Sequence, residues 1–349
     1  MDSIDFRSDT ITWPTPEMRE AMARAPVGDD VYGEDPTVNE LEALAAEKVG
    51  KQAGLFVASG TMGNLAATLT HAQRGDEAIM GVEAHTFQWE AGGMASLGGV
   101  TPHPLPTDEE GRMDLERVRR AIRWDDPHLP RSRLILVENS FGGRNGTPLP
   151  PSYFAQIREI AEQHDLKVHL DGARIFNSAV ALKLDPTELT RDVDSVTFCL
   201  SKGLCAPVGS VLCGSHEFVR AARRMRKVLG GGMRQAGILA AAGLVALESM
   251  IDRLAEDHAN ARTLADGLAG IPGIRIQPQL VRTNIVQFGL EPGVAISLEE
   301  LLKRLREEHR LLLGGYPPDT LRAVTHHWVG KTDVQLLIGA LGSVLSQVA

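Results

Sequence analysis

Two residues in this chain carry chemistry that their neighbours cannot: Lys202, in the run SVTFCLSKGLCAPVGSV (195–211), and Asp171, in HLDGARIF (169–176). Each closes or follows an apolar stretch that reads as a buried strand, so one strand delivers an amine into a loop and the other a carboxylate. A lysine amine forms a Schiff base with a carbonyl carbon, and an aspartate beside a pyridine nitrogen keeps that nitrogen protonated, which makes the ring an electron sink. The pair points to pyridoxal phosphate. The bland alternatives are a surface lysine at a strand end and, for Asp171, a helix N-cap or an ion pair with Arg174. The apolar approach to Lys202 and the Gly203 behind it argue against the first.

Other residue types fit the same chemistry. In LFVASGTMGNLAATL, a strand turns at Ser59-Gly60-Thr61 into a helix, whose free N–H groups and positive end suit a phosphate on Gly60 and Thr61. The same turn also serves simply to cap a helix. His85, after the run AIMGV, has a ring that can stack on a cofactor face and titrates near neutrality, although a lone histidine after a strand is also an ordinary loop residue. His128 in DDPHLPRSR carries the same ambiguity. Arg174 and Arg322 have the guanidinium fork that matches a substrate carboxylate, or are solvated surface arginines. Arg234 follows the Gly-rich turn LGGG, either as an exposed arginine at a helix start or as a group reaching a phosphate across a subunit boundary.

These groups need a scaffold that aligns strand ends. From residue 55 onward, short apolar runs (LFVAS, EAIMGV, RLILVENS, KVHLDGA, VTFCLSKG) alternate with amphipathic segments, the pattern of a mostly parallel sheet covered on both faces. The alternation ends after SVLCGS and EFVRAARRMRKVL. A long Ala-rich helical stretch then leads into a smaller α+β unit, which places an N-terminal segment plus large domain over 1–250 and a small C-terminal domain over 251–349. At 349 residues the chain exceeds what one core usually supports. The strip GGRNGTPLPP (142–151) is expected to be a loop on the ligand face of the sheet.

Composition removes several function classes. Lys and Arg number 36 against 45 Asp and Glu, for a net charge of −9, with no basic tract suited to a nucleic-acid backbone. No apolar run is long enough for a membrane span and the first residues have no signal pattern, so the reading is a soluble cytoplasmic protein. Cys199, Cys205 and Cys213 lack metal-site spacing and read as reduced core thiols; no metal is expected.

Taken together, the motifs resemble the low-specificity L-threonine aldolase family of the fold-type I pyridoxal-phosphate enzymes. The resemblance runs from DFRSDTITWPTPEMREAM and GDDVYGEDPTVNELE through FVASGTMGN, HTFQWEAGGMASLGGV, HLDGARIFNSAVAL and FCLSKGLCAPVGS to GGGMRQAG and LRAVTH. It implies that Lys202 is the Schiff-base lysine, Asp171 the partner of the pyridine nitrogen, His85 the stacked ring, and Gly60 and Thr61 phosphate ligands. It further implies that Ser8, Arg174 and Arg322 hold the amino-acid carboxylate and that His128 lies near the β-hydroxyl. Lys227 and Arg234 would serve the cofactor region, across a subunit boundary of a homotetramer. Three positions depart from the family. Ser140-Phe141-Gly142-Gly143 replaces Thr-His-Asn, Cys205 stands where glycine is usual, and Trp328 follows VTHH where an aspartate is frequent. Loss of the polar ring implies a roomier, more apolar wall on the substrate side.

The implied reaction is retro-aldol cleavage of a β-hydroxy-α-amino acid to glycine and an aldehyde, with His85, His128 or a water as the base. Alanine racemisation or β-elimination on the same cofactor is the alternative. A nicotinamide-dependent oxidoreductase lacks its G-x-G-x-x-G, and a non-catalytic cofactor-binding protein would not need Lys202 together with two arginines.

Overall fold

The computed structural model describes residues 3–316 and 319–347. Strand β1 (Ile4–Asp5) opens the chain, and seven strands follow: β2 (Ala53–Val57), β3 (Asp76–Gly81), β4 (Thr101–Leu105), β5 (Arg131–Glu138), β6 (Lys167–Asp171), β7 (Ser195–Cys199) and β8 (Ser210–Gly214). They form one sheet in the order β2-β8-β7-β6-β5-β3-β4. β3, β4, β5, β6 and β7 pair in parallel, and β8 runs antiparallel to both of its neighbours. Every residue of β7 and β8 is buried, as expected of strands covered on both faces, which is why they read as apolar runs without alternation. Each apolar run identified as a strand in the sequence is one here, and the architecture is α/β with a mostly parallel central sheet.

Helices begin where the sequence supplies caps. Thr15 accepts a hydrogen bond from the Met18 N–H and is followed by Pro16, and Asp35 accepts from the Val38 N–H and is followed by Pro36. The Ala-rich stretch is not one helix but two, Gly237–Ser249 and Leu254–Ala269. The chain changes core within the second helix, whose first residue, Leu254, still packs with the large cluster. Ala240, Ala242, Ala246, Leu247 and Met250 bury in the large apolar cluster under the sheet, whereas Ala261, Leu264, Ala265 and Leu268 bury in a second cluster. That second cluster fills the C-terminal unit, whose strands β9 (Ile274–Arg275), β10 (Ile285–Leu290), β12 (Gly314–Tyr316) and β13 (Thr320–Val324) form an antiparallel sheet. β11 (Leu311–Leu312) pairs in parallel with β1, and Phe6 packs into the same cluster. The first residues therefore reach across to the C-terminal unit. Among the described residues no helix is long and apolar enough to cross a membrane.

The helix Gly60–His71 lies unusually close to the sheet. A Cβ on Gly63 would stand 2.6 Å from the Thr197 Cγ2 and 3.0 Å from its Oγ1, and Thr197 is fully buried on β7. Helix propensity alone favours alanine over glycine here by about 0.5–1 kcal/mol. Overpacking against a β-branched, buried neighbour costs about 1–3 kcal/mol, so the steric cost decides the sign. Gly63→Ala should therefore lower stability by about 1 kcal/mol or more in denaturant unfolding; an equal or more stable variant would show that this helix slides freely on β7.

Candidate active site

Parallel pairing brings the C-terminal ends of β5, β6 and β7 to one edge, with Glu138 opposite Asp171 and Asp171 opposite Thr197. The carboxyl edge of an open α/β sheet is where ligands bind. A cavity of about 720 Å³ opens there, and Lys202, Asp171, His85, Arg174, Arg322 and Ser8 all line it. Six of the residues singled out in the sequence thus meet in one place, from positions as far apart in the chain as 8 and 322.

Asp171 is buried and receives two hydrogen bonds, from the Asn64 Nδ2 at 2.9 Å and from the Ala173 N–H at 3.0 Å. Lys202 is held through its carbonyl, which accepts from the Thr12 hydroxyl at 2.8 Å and from the Cys205 N–H at 2.9 Å. Cys205 has φ +65°, the left-handed region that glycine enters freely and other residues rarely adopt. Burial pushes the Cys205 thiol up to about 12, and all three cysteines are buried and unpaired.

His85 is fixed at two atoms. Its Nδ1 meets the Glu90 Oε1 at 3.0 Å and its N–H donates to the Glu138 Oε2 at 2.8 Å. The hydrogen bond to Glu90 raises its pKa above that of an ordinary histidine despite partial burial. Glu138 also accepts from the Gly142 N–H at 2.8 Å. Burial, then the charge of Asp171, pushes Glu138 up to about 7. The ligand atoms of His85, Glu90 and Asp171 lie within 4.8 Å of one another. Asn64 donates into both carboxylates, however, which makes the trio a hydrogen-bonded cluster rather than a chelate.

The two arginines are not equivalent. Arg174 gives its fork to Asp9, Nε to Oδ2 at 2.7 Å and Nη2 to Oδ1 at 2.6 Å. Burial alone would raise the pKa of Asp9, but Arg174, with Lys202 and Arg322 behind it, holds it well below the ordinary range. Arg322 makes no ion pair among the described residues; its guanidinium lies 3.5 Å from the Arg7 carbonyl and hydrogen-bonds the Tyr316 side chain. Burial, then repulsion from Arg174, lowers its pKa. The guanidinium in the cavity without a carboxylate partner among the described residues is therefore that of Arg322, whereas Arg174 is bonded to Asp9 through two of its nitrogens.

Gly60 and Thr61 open the helix Gly60–His71, where Ser59 caps the Met62 N–H at 3.2 Å and leaves the preceding N–H groups without intrahelical partners. A Cβ on Gly60 would meet the Cys199 Sγ at 3.0 Å, so the space beside this helix end is kept by glycine.

Four expected residues lie elsewhere. His128 is exposed and bonded to Asp126, just before β5 begins. The eight residues of β5 separate it from the cavity edge, roughly 25 Å of extended chain. Arg234 is exposed and paired with Asp29 at 3.0 Å, and Lys227 ends the helix His216–Val228 beside Gly232. Phe141, expected on the substrate wall, is turned into the core, where Gly111 at φ +91° makes room for its ring. Ser140, Gly142 and Gly143 line the cavity in its place, so the wall is roomy through missing side chains rather than an apolar ring.

Asp9, Asn64, Glu90 and Glu138 were not singled out from the sequence. Glu138 carries the same signal as Asp171, a carboxylate closing an apolar strand. Asn64, one helical turn beyond Gly60, carries none.

A family model described as beta-eliminating lyase matches residues 5–290. The chain is 46% identical over 339 residues to low-specificity L-threonine aldolase 1 of Arabidopsis thaliana, covering 96% of this chain and 94% of that one. It is 45% identical over 323 residues to the low specificity L-threonine aldolase of Escherichia coli K12, covering 93% of each. The Leishmania major threonine aldolase structure superposes with a TM-score of 0.81 at 19% identity, over 98% of this chain and 99% of that one, a likeness of fold.

The ion pair under the cavity yields a stability test. Asp9→Ala leaves the buried Arg174 charge unpaired, and breaking such a pair from one side costs about 3–5 kcal/mol. Chemical denaturation should register that loss; a variant as stable as the parent would mean that Arg174 finds water or Glu138 instead.

Proposed function

The chain belongs to the beta-eliminating lyase family, and from that premise we propose a carbon–carbon lyase that uses pyridoxal phosphate to cleave L-threonine, L-allo-threonine and related β-hydroxy-α-amino acids to glycine and an aldehyde. The observation that carries the reading is the meeting of Lys202, Asp171 and an unpaired Arg322 around one cavity. The residues fit the cofactor: an amine, a twice-bonded buried carboxylate and a glycine-cleared helix N-terminus supply its carbonyl, ring nitrogen and phosphate with partners. The buried Ser140 Oγ, on the cavity wall, has no partner of its own among the described residues.

Pyridoxal phosphate, when bound, supplies a conjugated electron sink for the bonds at the substrate's Cα. Lys202 provides the amine that anchors it and that the substrate amine displaces. Asp171 holds the proton on the ring nitrogen. Arg322 and Ser8 bind the substrate carboxylate, while Arg174, locked by Asp9, shapes the floor and adds charge without a free fork. Holding the carboxylate fixes which bond at Cα lies in line for cleavage. His85, with Nδ1 bonded to Glu90, has its Nε2 left to take the β-hydroxyl proton as the Cα–Cβ bond breaks; a proton then returns to Cα.

The open wall at Gly142 and Gly143 favours bulky β-substituents, so phenylserine should be accepted, with modest discrimination between threonine and allo-threonine and strict L selectivity. The reading includes a homotetramer in which another copy brings His128, Lys227 and Arg234 to the cavity.

The experiment is a glycine and aldehyde assay on both enantiomers of threonine, allo-threonine and phenylserine, with pyridoxal phosphate supplied. Glycine should form from the L substrates, and Lys202→Ala should lose both turnover and the borohydride-fixed cofactor. A 2-oxo acid with ammonia (2-oxobutanoate from threonine, phenylpyruvate from phenylserine), or inversion at Cα of the substrate, in place of glycine would overturn the aldol reading in favour of β-elimination or racemisation. Sharing is tested by mixing Lys202→Ala with Arg234→Ala subunits: partial recovery of activity is expected, and none in verified mixed oligomers would count against it.

A further inference from the structure

We propose that Asn64 and His169 are positioning residues for Asp171, the inner half of a hydrogen-bonded relay that ends at His71; this rests on reading the cavity as a pyridoxal phosphate site. The Asn64 Nδ2 donates to the Asp171 Oδ2 at 2.9 Å and to the Glu90 Oε1 at 2.9 Å. The Asn64 Oδ1 meets the His169 Nε2 at 3.1 Å, the His169 Nδ1 meets the Ser195 Oγ at 2.8 Å, and the Ser195 Oγ meets the His71 Nε2 at 2.7 Å.

The direction of every bond follows from the carboxylate end. An amide nitrogen has two hydrogens, and both of Asn64's are spent on carboxylates. Its oxygen must then accept, so His169 carries its hydrogen on Nε2. A neutral imidazole has one N–H, so the His169 Nδ1 accepts from the Ser195 hydroxyl, and the Ser195 oxygen accepts from the His71 Nε2–H. Burial keeps both rings neutral, pushing His169 down to about 3 and His71 down to about 4. The relay brings donors to the site without bringing charge.

Asp171 needs that line because of its surroundings. Glu138 and Glu90 face it as fellow acids and Lys202 and His85 as bases, all at one strand edge. With one oxygen on the Ala173 N–H and the other on Asn64, the carboxylate has a single plane. An Asn64 freed from His169 can turn its oxygen toward two carboxylates, which removes the donor and adds repulsion. The same bonds also pin the helix to the sheet, since Asn64 and His71 share that helix and His169 and Ser195 are register partners on β6 and β7. Pinning by itself predicts an effect on stability but none on the cofactor.

The two roles separate experimentally in the loaded enzyme. His169→Phe keeps volume and loses both nitrogens, Asn64→Ala removes the donor, and His169→Gln keeps one donor and one acceptor. Positioning predicts that His169→Phe and Asn64→Ala bind pyridoxal phosphate about tenfold or more weakly, the scale of a hydrogen bond to a charged group. Their visible absorption band should also shift, and His169→Gln should restore both properties. Wild-type affinity and band in His169→Phe, with only a lower unfolding temperature, would overturn the proposal and leave a structural pin. Should the variants not fold, ¹⁵N spectra of the histidine rings in the unliganded wild type decide. Neutral, Nε2-protonated His169 and His71 at pH 6 are required, and a His169 that is charged or Nδ1-protonated overturns the relay. A wild type that binds no pyridoxal phosphate defeats the cofactor reading instead, and the ring spectra still judge the relay.

Discussion

Parallel registry among β5, β6 and β7 is the constraint on which the site depends. Because these strands run the same way, Glu138, Asp171 and Thr197 come level, β7 runs two residues further to Cys199, and the loop that carries Lys202 follows directly. A one-residue slip would turn Asp171 to the other face of the sheet. Complete burial of β7 and β8 specifies the register strongly, since any slip exchanges packed apolar side chains throughout the core.

The edge so formed concentrates charge. Asp9, Glu90, Glu138 and Asp171 face Lys202, Arg174 and Arg322, with His85 between. The acids and bases are not paired off completely. Asp9 takes Arg174, and Asn64 satisfies Glu90 and Asp171 with neutral donors, which leaves the Arg322 guanidinium with no carboxylate in contact among the described residues, only the more distant charge of Asp9 and the Tyr316 side chain. An uncompensated cation in a largely buried place is costly unless an anion arrives. Arg322 is thus left able to pair with an anion that enters the cavity.

Much of this was legible before any coordinates. Strands announced themselves as apolar runs, and Lys202 and Asp171 announced themselves as lone polar groups at the ends of such runs. Arg174 and Arg322 were legible by type, but not the difference between them, because Asp9 lies 165 residues from its partner and nothing local marks the pair. Glu138 was legible by the rule that found Asp171. Asn64 and His169 were not, since a polar residue inside an amphipathic helix or an apolar strand looks the same whether it faces water or a buried partner. The Ala-rich stretch misled by its propensity: alanine favours helix throughout, and nothing in it marks the break between Ser249 and Leu254. His128 was placed near the site by resemblance, and within one chain the length of β5 keeps it away.

The helix Gly60–His71 has a metrical consequence. Its first residues offer N–H groups to an anion, and Asn64, four residues on, holds the Asp171 carboxylate. Along a helix that interval is about 6 Å, set by the rise per residue and no softer than the backbone itself. Gly63, pressed on Thr197, keeps the rod from sliding. The site therefore contains a ruler: a ligand whose anionic tail and basic ring atom are separated by another length can satisfy one end or the other, but not both.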